Sequence, residues 1–208
     1  MRIVEPQELA EMNRDPNRYV MGVDLGQASD FTAIAVGRFP AAREARSVDV
    51  VYLERLPLGT SYPDVVEYVE SLMARPPLLG GADLVVDATG VGRPVVDLLR
   101  ERHLKVEAVT ITAGSATRRD DLGGWWVPKR ELVSAVQVGL QSRTLRIARD
   151  LKHAATLSDE LATFEVKITE SANETFGAWR AGAHDDLVLA VAMLSWWAWR
   201  APGPVEFW

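Results

Sequence analysis

Four aspartates stand where predicted secondary-structure elements begin or end, and together they could bind divalent metal ions. Asp24 and Asp87 each close a short apolar run, while Asp185 and Asp186 open the last apolar segment of the chain. Ligands of open α/β sheets gather outside the strand ends, so two strand-terminal aspartates converge if their strands are neighbours. Mg²⁺ usually takes one or two carboxylates, with water and phosphate completing its shell. Two such ions about 4 Å apart can activate a water for attack on a phosphodiester.

Each carboxylate also has an ordinary structural interpretation. Asp24 and Asp87 could form strand-end turns, and Asp185 could be a helix N-cap, a role that Asp often fills. Several carboxylates without a neutralising cation would repel one another and raise their own pKa values. Their joint occurrence at element ends therefore favours a metal-binding cluster over a set of unrelated turns.

The apolar patterns predict an open mixed sheet with helices packed on it, because strands and helical repeats alternate after an opening three-strand meander. Strands are predicted at Tyr19–Asp24, Phe31–Phe39, Val48–Leu56, Ala82–Asp87, Val106–Ile111, Thr144–Ile147 and as a pair within Glu165–Trp179. Helices are predicted around Val65–Leu72, from Gly92 to Arg102, from Pro128 to Ser142, and over Leu151–Phe164 and Asp185–Trp199. The segment Ala113–Trp126 contains three glycines and is predicted to be a loop.

Length and composition indicate one globular domain. The chain has 208 residues, of which 48% are hydrophobic and 25% charged, and it contains no cysteine, which excludes disulfides, thiolate metal sites and a cysteine nucleophile. No apolar run reaches the roughly 20 residues of a membrane-spanning helix. We expect an N-terminal extension or linker at 1–18, one domain at 19–200 and a C-terminal tail at 201–208.

The net charge of −6 argues against a protein that coats nucleic acid by charge alone. A metal-dependent nuclease nevertheless needs only a local basic surface, and four residues in and after the Gly-rich segment are candidates for DNA contacts: Arg118, Arg119, Lys129 and Arg130. Trp125 and Trp126 lie between them and could stack on DNA. The alternatives are solvated surface charges and a loop that folds back over the sheet.

Three segments resemble the acidic motifs of the nuclease domain of phage terminase large subunits. They are Val23-Asp24-Leu25-Gly26, Val86-Asp87-Ala88-Thr89-Gly90-Val91-Gly92 and Gly182-Ala183-His184-Asp185-Asp186-Leu187-Val188. Pro128-Lys129-Arg130-Glu131-Leu132, Leu145-Arg146-Ile147 and Glu160-Leu161 also look like that family. The resemblance extends from Tyr19 to about Trp196, and the most specific of its motifs is His-Asp-Asp-Leu-Val at the start of a helix.

This resemblance implies an RNase H-like α/β fold, with a mixed sheet flanked by helices on both faces, and a metal-dependent endonuclease that cuts concatemeric double-stranded DNA. Two Mg²⁺ or Mn²⁺ ions would be bound by Asp24, Asp87, Asp186 and Asp185, with Asp186 as the closer ligand of the last two. Asp30 and His184 are secondary candidates. The cleavage would leave 3′-hydroxyl and 5′-phosphate ends.

The same resemblance implies partners and a cellular location. A terminase ATPase domain or subunit, a small terminase subunit and a portal are expected in the cytoplasm of a host bacterium, with no membrane association. The chain has no G-x-x-x-x-G-K-[ST] phosphate loop, so the DNA-translocating motor would be a separate domain or chain.

Three other functions remain open at this point. A Holliday-junction resolvase or RNase H-type nuclease shares the carboxylate site and differs in substrate. An ATPase of the actin and Hsp70 class has similar Asp-Leu-Gly and Asp-Ala-Thr-Gly segments, but it needs two lobes and this chain has material for one. A non-catalytic packaging subunit would have no need of a complete set of acidic residues.

Overall fold

The structure is a computed structural model that describes residues 17–26, 30–40, 47–168, 174–178 and 185–200. In this part of the chain the strands are β1 (Asn17–Asp24), β2 (Ala33–Pro40), β3 (Val48–Arg55), β4 (Asp83–Asp87), β5 (Val106–Thr112), β6 (Arg118–Arg119), β7 (Trp125–Pro128), β8 (Leu145–Ile147), β9 (Phe164–Ile168) and β10 (Glu174–Ala178). The helices are α1 (Tyr62–Met73), α2 (Gly92–Glu101), α3 (Lys129–Gln141), α4 (Ala154–Thr163) and α5 (Asp186–Arg200).

Eight strands form one mixed sheet in the order β6-β7-β5-β4-β1-β2-β3-β8. The central strands β1, β4, β5 and β7 run parallel, and β2 runs antiparallel to β1 and to β3. The parallel strands β1, β4, β5 and β7 therefore all end at one edge of the sheet. The remaining pair, β9 and β10, forms a separate antiparallel hairpin.

Helices cover both faces of the sheet, as the alternation of buried residues along its strands requires. Val20 and Val85 point towards α3, α4 and α5, whereas Met21 and Val86 point towards α1 and α2. Strands covered on both faces are expected to be almost continuously apolar, and the central β4 has the sequence Asp-Leu-Val-Val-Asp.

A glycine lets the last helix lie unusually close to the central strand. A Cβ atom added at Gly22 of β1 would lie 2.2 Å from the carbonyl oxygen of Ala190 in α5. Only glycine fits at this crossing, and its packing brings the N-terminal end of α5 to the edge where β1 ends.

Most predicted elements agree with the structure within a few residues. The α1 helix begins after Ser61, whose hydroxyl accepts a hydrogen bond from the Asp64 backbone N–H (3.3 Å), and ends before Pro76 and Pro77. Within the described residues no helix combines the length and the apolar character needed to cross a membrane. The mixed α/β sheet flanked by helices on both faces is confirmed.

The predicted loop at Ala113–Trp126 is wrong in part, because β6 and the start of β7 lie within it. Val127 is fully buried on β7, which pairs in parallel with β5, so a short apolar run was enough to extend the sheet. Two of the three glycines, Gly123 and Gly124, lie in the tight turn between β6 and β7, where Gly123 has a φ of +81°, and Gly114 precedes β6. A glycine-rich composition therefore concealed a strand-turn-strand unit.

Candidate metal centre

The two strand-terminal aspartates lie side by side on neighbouring parallel strands. Val23 of β1 pairs with Val86 of β4, so Asp24 and Asp87 follow at the same level of the sheet. Asp24 is 7% exposed, and one Asp87 oxygen accepts a hydrogen bond from the Thr89 backbone N–H at 2.8 Å. The Asp24 and Asp87 carboxyl groups are close enough for each to influence the pKa of the other.

Burial raises the pKa values of both carboxyl groups, and repulsion by neighbouring carboxylates raises that of Asp24 further. Burial raises the pKa of Asp24 well above its usual value, and the negative charges of Asp87, Asp186 and Asp185 raise it further. Burial also raises the pKa of Asp87, against the lowering effect of its hydrogen bonds with Thr89. The two carboxyl groups are thus held in a place with too little positive charge to balance them.

The other two aspartates stand at the start of α5 and are each paired with a cation. Asp186 is 5% exposed and accepts a hydrogen bond from Arg55 Nη2 at 3.0 Å. Asp185, more exposed, accepts one from Lys129 Nζ at 3.0 Å. All four predicted ligands therefore influence one another, but two are neutralised by the protein itself.

This pairing bears on whether the residues fit metal ions. In the described part of the chain, no group of three or more His, Cys, Asp or Glu side chains is placed to hold an ion as it stands. Asp185 is bonded to Lys129 and Asp186 to Arg55, so each of these carboxylates already has a cationic partner. The donor chemistry nevertheless fits a hard divalent ion, which usually needs one or two carboxylates, and Asp24 with Asp87 supplies two.

Two further charged residues lie near this edge: Glu160, which belongs to a segment that resembles the family, and Arg55, which had no signal in the sequence. In strand register, Asp24 lies opposite Ala33 of β2, and Ala33 lies opposite Arg55 of β3. Glu160 of α4 is 6% exposed and accepts a hydrogen bond from Arg55 Nη2 at 2.6 Å. Burial raises the pKa of Glu160 to about 7, although the Val188 N–H and Arg55 lower it. Only the strand register, which the sequence does not give, could have identified Arg55.

Of the two secondary candidate ligands, the structure describes Asp30 but not His184. Asp30 is exposed beside the β1–β2 connection and lines a cleft of about 410 Å³ together with Thr32 and Ser61. The buried Thr32 hydroxyl accepts a hydrogen bond from the Gly26 backbone N–H at 3.2 Å, which orders the chain just after Asp24. His184 lies outside the described residues.

The predicted basic surface divides into two parts. Arg118 and Arg119 are exposed on the edge strand β6, and their guanidinium groups stack on the rings of Trp126 (4.3 Å) and Trp125 (3.7 Å). Lys129 instead joins the carboxylates through its bond to Asp185.

Arg130, also exposed, donates a hydrogen bond to the Ser115 carbonyl oxygen at 2.7 Å. Trp125 packs edge-to-face against Trp196, with ring centroids 5.6 Å apart, whereas Trp126 is 39% exposed. Of the two tryptophans, Trp126 is the more exposed, and Trp125 is only partly exposed.

Comparisons with known proteins give likeness through structure alone. No protein-family model matches the chain, and no curated protein matches its sequence. The large terminase nuclease from thermophilic phage G20c with bound magnesium is 22% identical, with a TM-score of 0.64 over 88% of this chain and 82% of that chain. The large terminase nuclease domain of bacteriophage SPP1 with bound manganese is 11% identical, with a TM-score of 0.55 over 92% of this chain and 90% of that chain.

The manganese-soaked terminase nuclease domain of human cytomegalovirus is 13% identical, with a TM-score of 0.52 over 94% of this chain and 95% of that chain. This chain has the fold of the terminase nuclease domains. The shared terminase nuclease fold confirms the RNase H-like architecture that the acidic motifs imply. It spans most of the chain and most of each relative.

Proposed function

We propose that this chain is the nuclease of a viral DNA-packaging terminase, a divalent-metal-dependent endonuclease that cuts concatemeric double-stranded DNA. The observation that carries the proposal is the pair formed at the strand edge by the buried Asp24 and the partly buried Asp87, with Asp186 close by on α5. The terminase nuclease fold supports it, as do the magnesium and manganese bound by two proteins of that fold.

In this proposal Asp24, Asp87 and Asp186 hold two Mg²⁺ or Mn²⁺ ions, with Asp185 assisting. When bound, such ions activate a water and stabilise the leaving oxygen of a phosphodiester displacement. The aspartates fix where the ions lie, and the buried position of Asp24 keeps bulk water from competing for its carboxylate. Asp30 and His184 remain secondary candidates.

The proposed DNA path runs from the carboxylate edge towards the outer strands β7 and β6. Lys129, with its side chain 25% exposed, contributes a positive charge at the carboxylates, where a phosphate group would lie. Arg118, Arg119 and Arg130 are exposed on or beside the outer strands. Phosphate contacts of this kind position DNA without reading its sequence, so we expect little sequence preference.

The wider assembly follows from the same proposal. A terminase ATPase domain or subunit supplies translocation, and a small terminase subunit and a portal complete the complex in the host cytoplasm, without a membrane. In this proposal residues 1–18 are an N-terminal extension or linker whose last two residues already belong to β1, residues 19–200 are the nuclease domain and residues 201–208 are a tail.

The direct test is cleavage of supercoiled plasmid by the purified chain with Mg²⁺, Mn²⁺ or EDTA. We expect nicking or linearisation with either metal and none with EDTA. Asp24→Asn should reduce the rate by about three powers of ten, because loss of a metal ligand removes several kcal/mol of transition-state stabilisation. Asp49→Asn is the matched control, since Asp49 is also a paired carboxylate on this sheet but lies near the other end of β3.

Other substrates separate the alternatives. Preference for a four-way junction or an RNA–DNA hybrid over plain duplex DNA would replace the proposal with a resolvase or an RNase H-type nuclease. Full activity of folded Asp24→Asn would refute the proposed site. Absence of cleavage and of metal binding in the folded wild-type chain would refute the proposed function.

A further inference from the structure

A buried ion network connects Asp186 with two residues outside the four aspartates. Arg55 Nη2 lies 2.6 Å from Glu160 Oε1 and 3.0 Å from Asp186 Oδ2, so one nitrogen bridges the two carboxylates. The exposed fractions of the three side chains are 14% for Arg55, 6% for Glu160 and 7% for Asp186. A network so far removed from water keeps its geometry only where its charges are paired.

Arg55 is held on a second side by an aromatic ring. The guanidinium carbon lies 4.3 Å from the centroid of the Phe31 ring, within the range of a cation–π contact. The planar guanidinium is thus held by Phe31 and by Glu160 in addition to its bond to Asp186. An arginine oriented in this way gives the Asp186 carboxylate one preferred direction.

Glu160 also fixes the helix on which Asp186 stands. Its second oxygen, Oε2, accepts a hydrogen bond from the Val188 backbone N–H at 3.1 Å, and the Leu187 N–H bonds to the same carboxylate. The first N–H groups of a helix have no partner within that helix, and a negative charge is favourable beside them. Glu160 of α4 therefore caps the N-terminus of α5 from another element.

We propose that Glu160 and Arg55 are positioning residues that fix the Asp186 carboxylate beside the Asp24–Asp87 pair for metal binding. This proposal rests on the proposed function, because it concerns the same metal centre. Glu160 supplies two effects. It holds α5 by its first turn, and it offsets the charge of Arg55, which would otherwise hold Asp186 more tightly and repel an incoming cation.

The test is Mn²⁺ binding to the purified 208-residue chain by isothermal titration calorimetry at pH 8, with no DNA present. Glu160→Gln keeps the shape of the side chain and removes its charge. We expect a Kd for Mn²⁺ about 10- to 100-fold higher than that of the wild type, the usual effect of losing a residue that orients metal ligands. Arg55→Lys retains the positive charge without the planar stacking surface and should also weaken binding.

Cleavage at increasing Mn²⁺ gives a second readout. If Glu160 acts by positioning, Glu160→Gln needs more Mn²⁺ for half-maximal cleavage but approaches the wild-type rate at saturation. Asp49→Asn is again the control: it removes the bonds to Arg146 Nε (2.6 Å) and Arg38 Nη2 (3.0 Å) and should leave the Kd unchanged. Melting temperatures without metal show whether each variant is folded.

The outcomes separate this proposal from the proposed function. Wild-type Mn²⁺ affinity in folded Glu160→Gln would overturn the positioning role while leaving the metal centre intact. If Glu160→Gln does not fold, the Arg55→Lys variant decides in the same way. A folded wild-type chain that binds no Mn²⁺ would overturn both proposals together.

Discussion

Two groups of carboxylates in this sheet have opposite electrostatic surroundings. At one edge, Asp24 and Asp87 are buried beside further negative charge, and burial and repulsion raise the pKa of Asp24. Near the far end of β3, Asp49 lies between Arg38 and Arg146, and their hydrogen bonds lower its pKa despite the effect of burial. The charge of an aspartate is therefore balanced at one place in this sheet and left unbalanced at another.

This difference distinguishes a structural carboxylate from a candidate ligand. Asp49 already has its counter-charges, so its ion pairs can only add modestly to the free energy of unfolding. The Asp24–Asp87 pair needs either protons or a cation from solution. A fold keeps such an arrangement where the imbalance has a use, and strongly perturbed carboxyl groups are indicators of functional sites.

The largest expected effect on the free energy of unfolding comes from replacing Gly22, the glycine that lets α5 pack closely against β1. Gly22→Ala would place a Cβ atom 2.2 Å from the Ala190 carbonyl oxygen, so α5 must shift away from β1. We expect a loss of about 3 kcal/mol in the free energy of unfolding, near the upper end for overpacking, and weaker Mn²⁺ binding because Asp186 moves with α5. Denaturant unfolding measures the first and calorimetry the second.

Gly81→Ala is the matched control, because an added Cβ there meets nothing within 4 Å and the backbone φ is not positive. It should leave both quantities unchanged. Equal stability of the Gly22 and Gly81 variants would mean that close packing of α5 on β1 does not hold the carboxylate edge together.

A smaller effect, with opposite signs in the two regions, is expected from neutralising one carboxylate at a time. In EDTA at pH 8, Asp24→Asn should increase the free energy of unfolding by about 1–3 kcal/mol, because it relieves a buried and poorly compensated charge. Asp49→Asn should decrease it by less than about 1 kcal/mol, since the Arg38 and Arg146 partners are well exposed. Urea unfolding of both variants against the wild type gives the two signs.

Bound Mn²⁺ should reverse the difference in stability between Asp24→Asn and the wild type. Saturating Mn²⁺ stabilises only a protein that binds it in the folded state, by about 2.7 kcal/mol at 100 times the Kd. The wild type should therefore gain stability from Mn²⁺ and Asp24→Asn should not. If Asp24→Asn lowered the stability in EDTA, the proposed electrostatic contrast with Asp49 would be wrong.

The sequence contained enough information for the order of elements and for the approach of two of the candidate ligands. Asp24 and Asp87 end apolar strands, and parallel strands bring their C-terminal ends to one edge, so their approach could be predicted. The start of α5 at Asp186 agrees with the predicted helix boundary. These inferences need only local pattern and the rules of sheet topology.

The charges that balance the site could not be predicted in the same way. Arg55 and Glu160 are 105 residues apart in the chain, and Arg55 and Asp186 are 131 apart, so no local spacing joins them. Its position beside Arg130 in the sequence predicts that Lys129 belongs to the basic surface, whereas the fold places its ammonium at Asp185. Partners of this kind depend on strand register and helix packing.

The smallest expected effect is the dependence of stability on pH, which has a different sign in each region. Asp24, Asp87 and Glu160 have raised pKa values, that of Glu160 being about 7, so above about pH 4, where unfolded carboxyl groups have ionised, the folded chain binds more protons than the unfolded chain. Stability in EDTA should therefore fall as pH rises in this range, by an amount on the order of 1 kcal/mol after relaxation of the site, or a few degrees in Tm.

The pKa of Asp49 is lowered, so its contribution is present above about pH 4, near the pKa of an unfolded aspartate, and is lost as pH falls further. Melting temperatures measured from pH 3 to 8 should decrease at both ends of this range, below about pH 4 and towards pH 8. Asp49→Asn should reduce only the decrease of the melting temperature on the acid side, and Asp24→Asn only its decrease towards pH 8. Excess Mn²⁺ should abolish the decrease towards pH 8 in the wild type, because a bound cation replaces the protons that the carboxyl groups otherwise take up. If neither Asp24→Asn nor Mn²⁺ changed the decrease in melting temperature towards pH 8, the titrating groups would lie elsewhere than at the carboxylate edge.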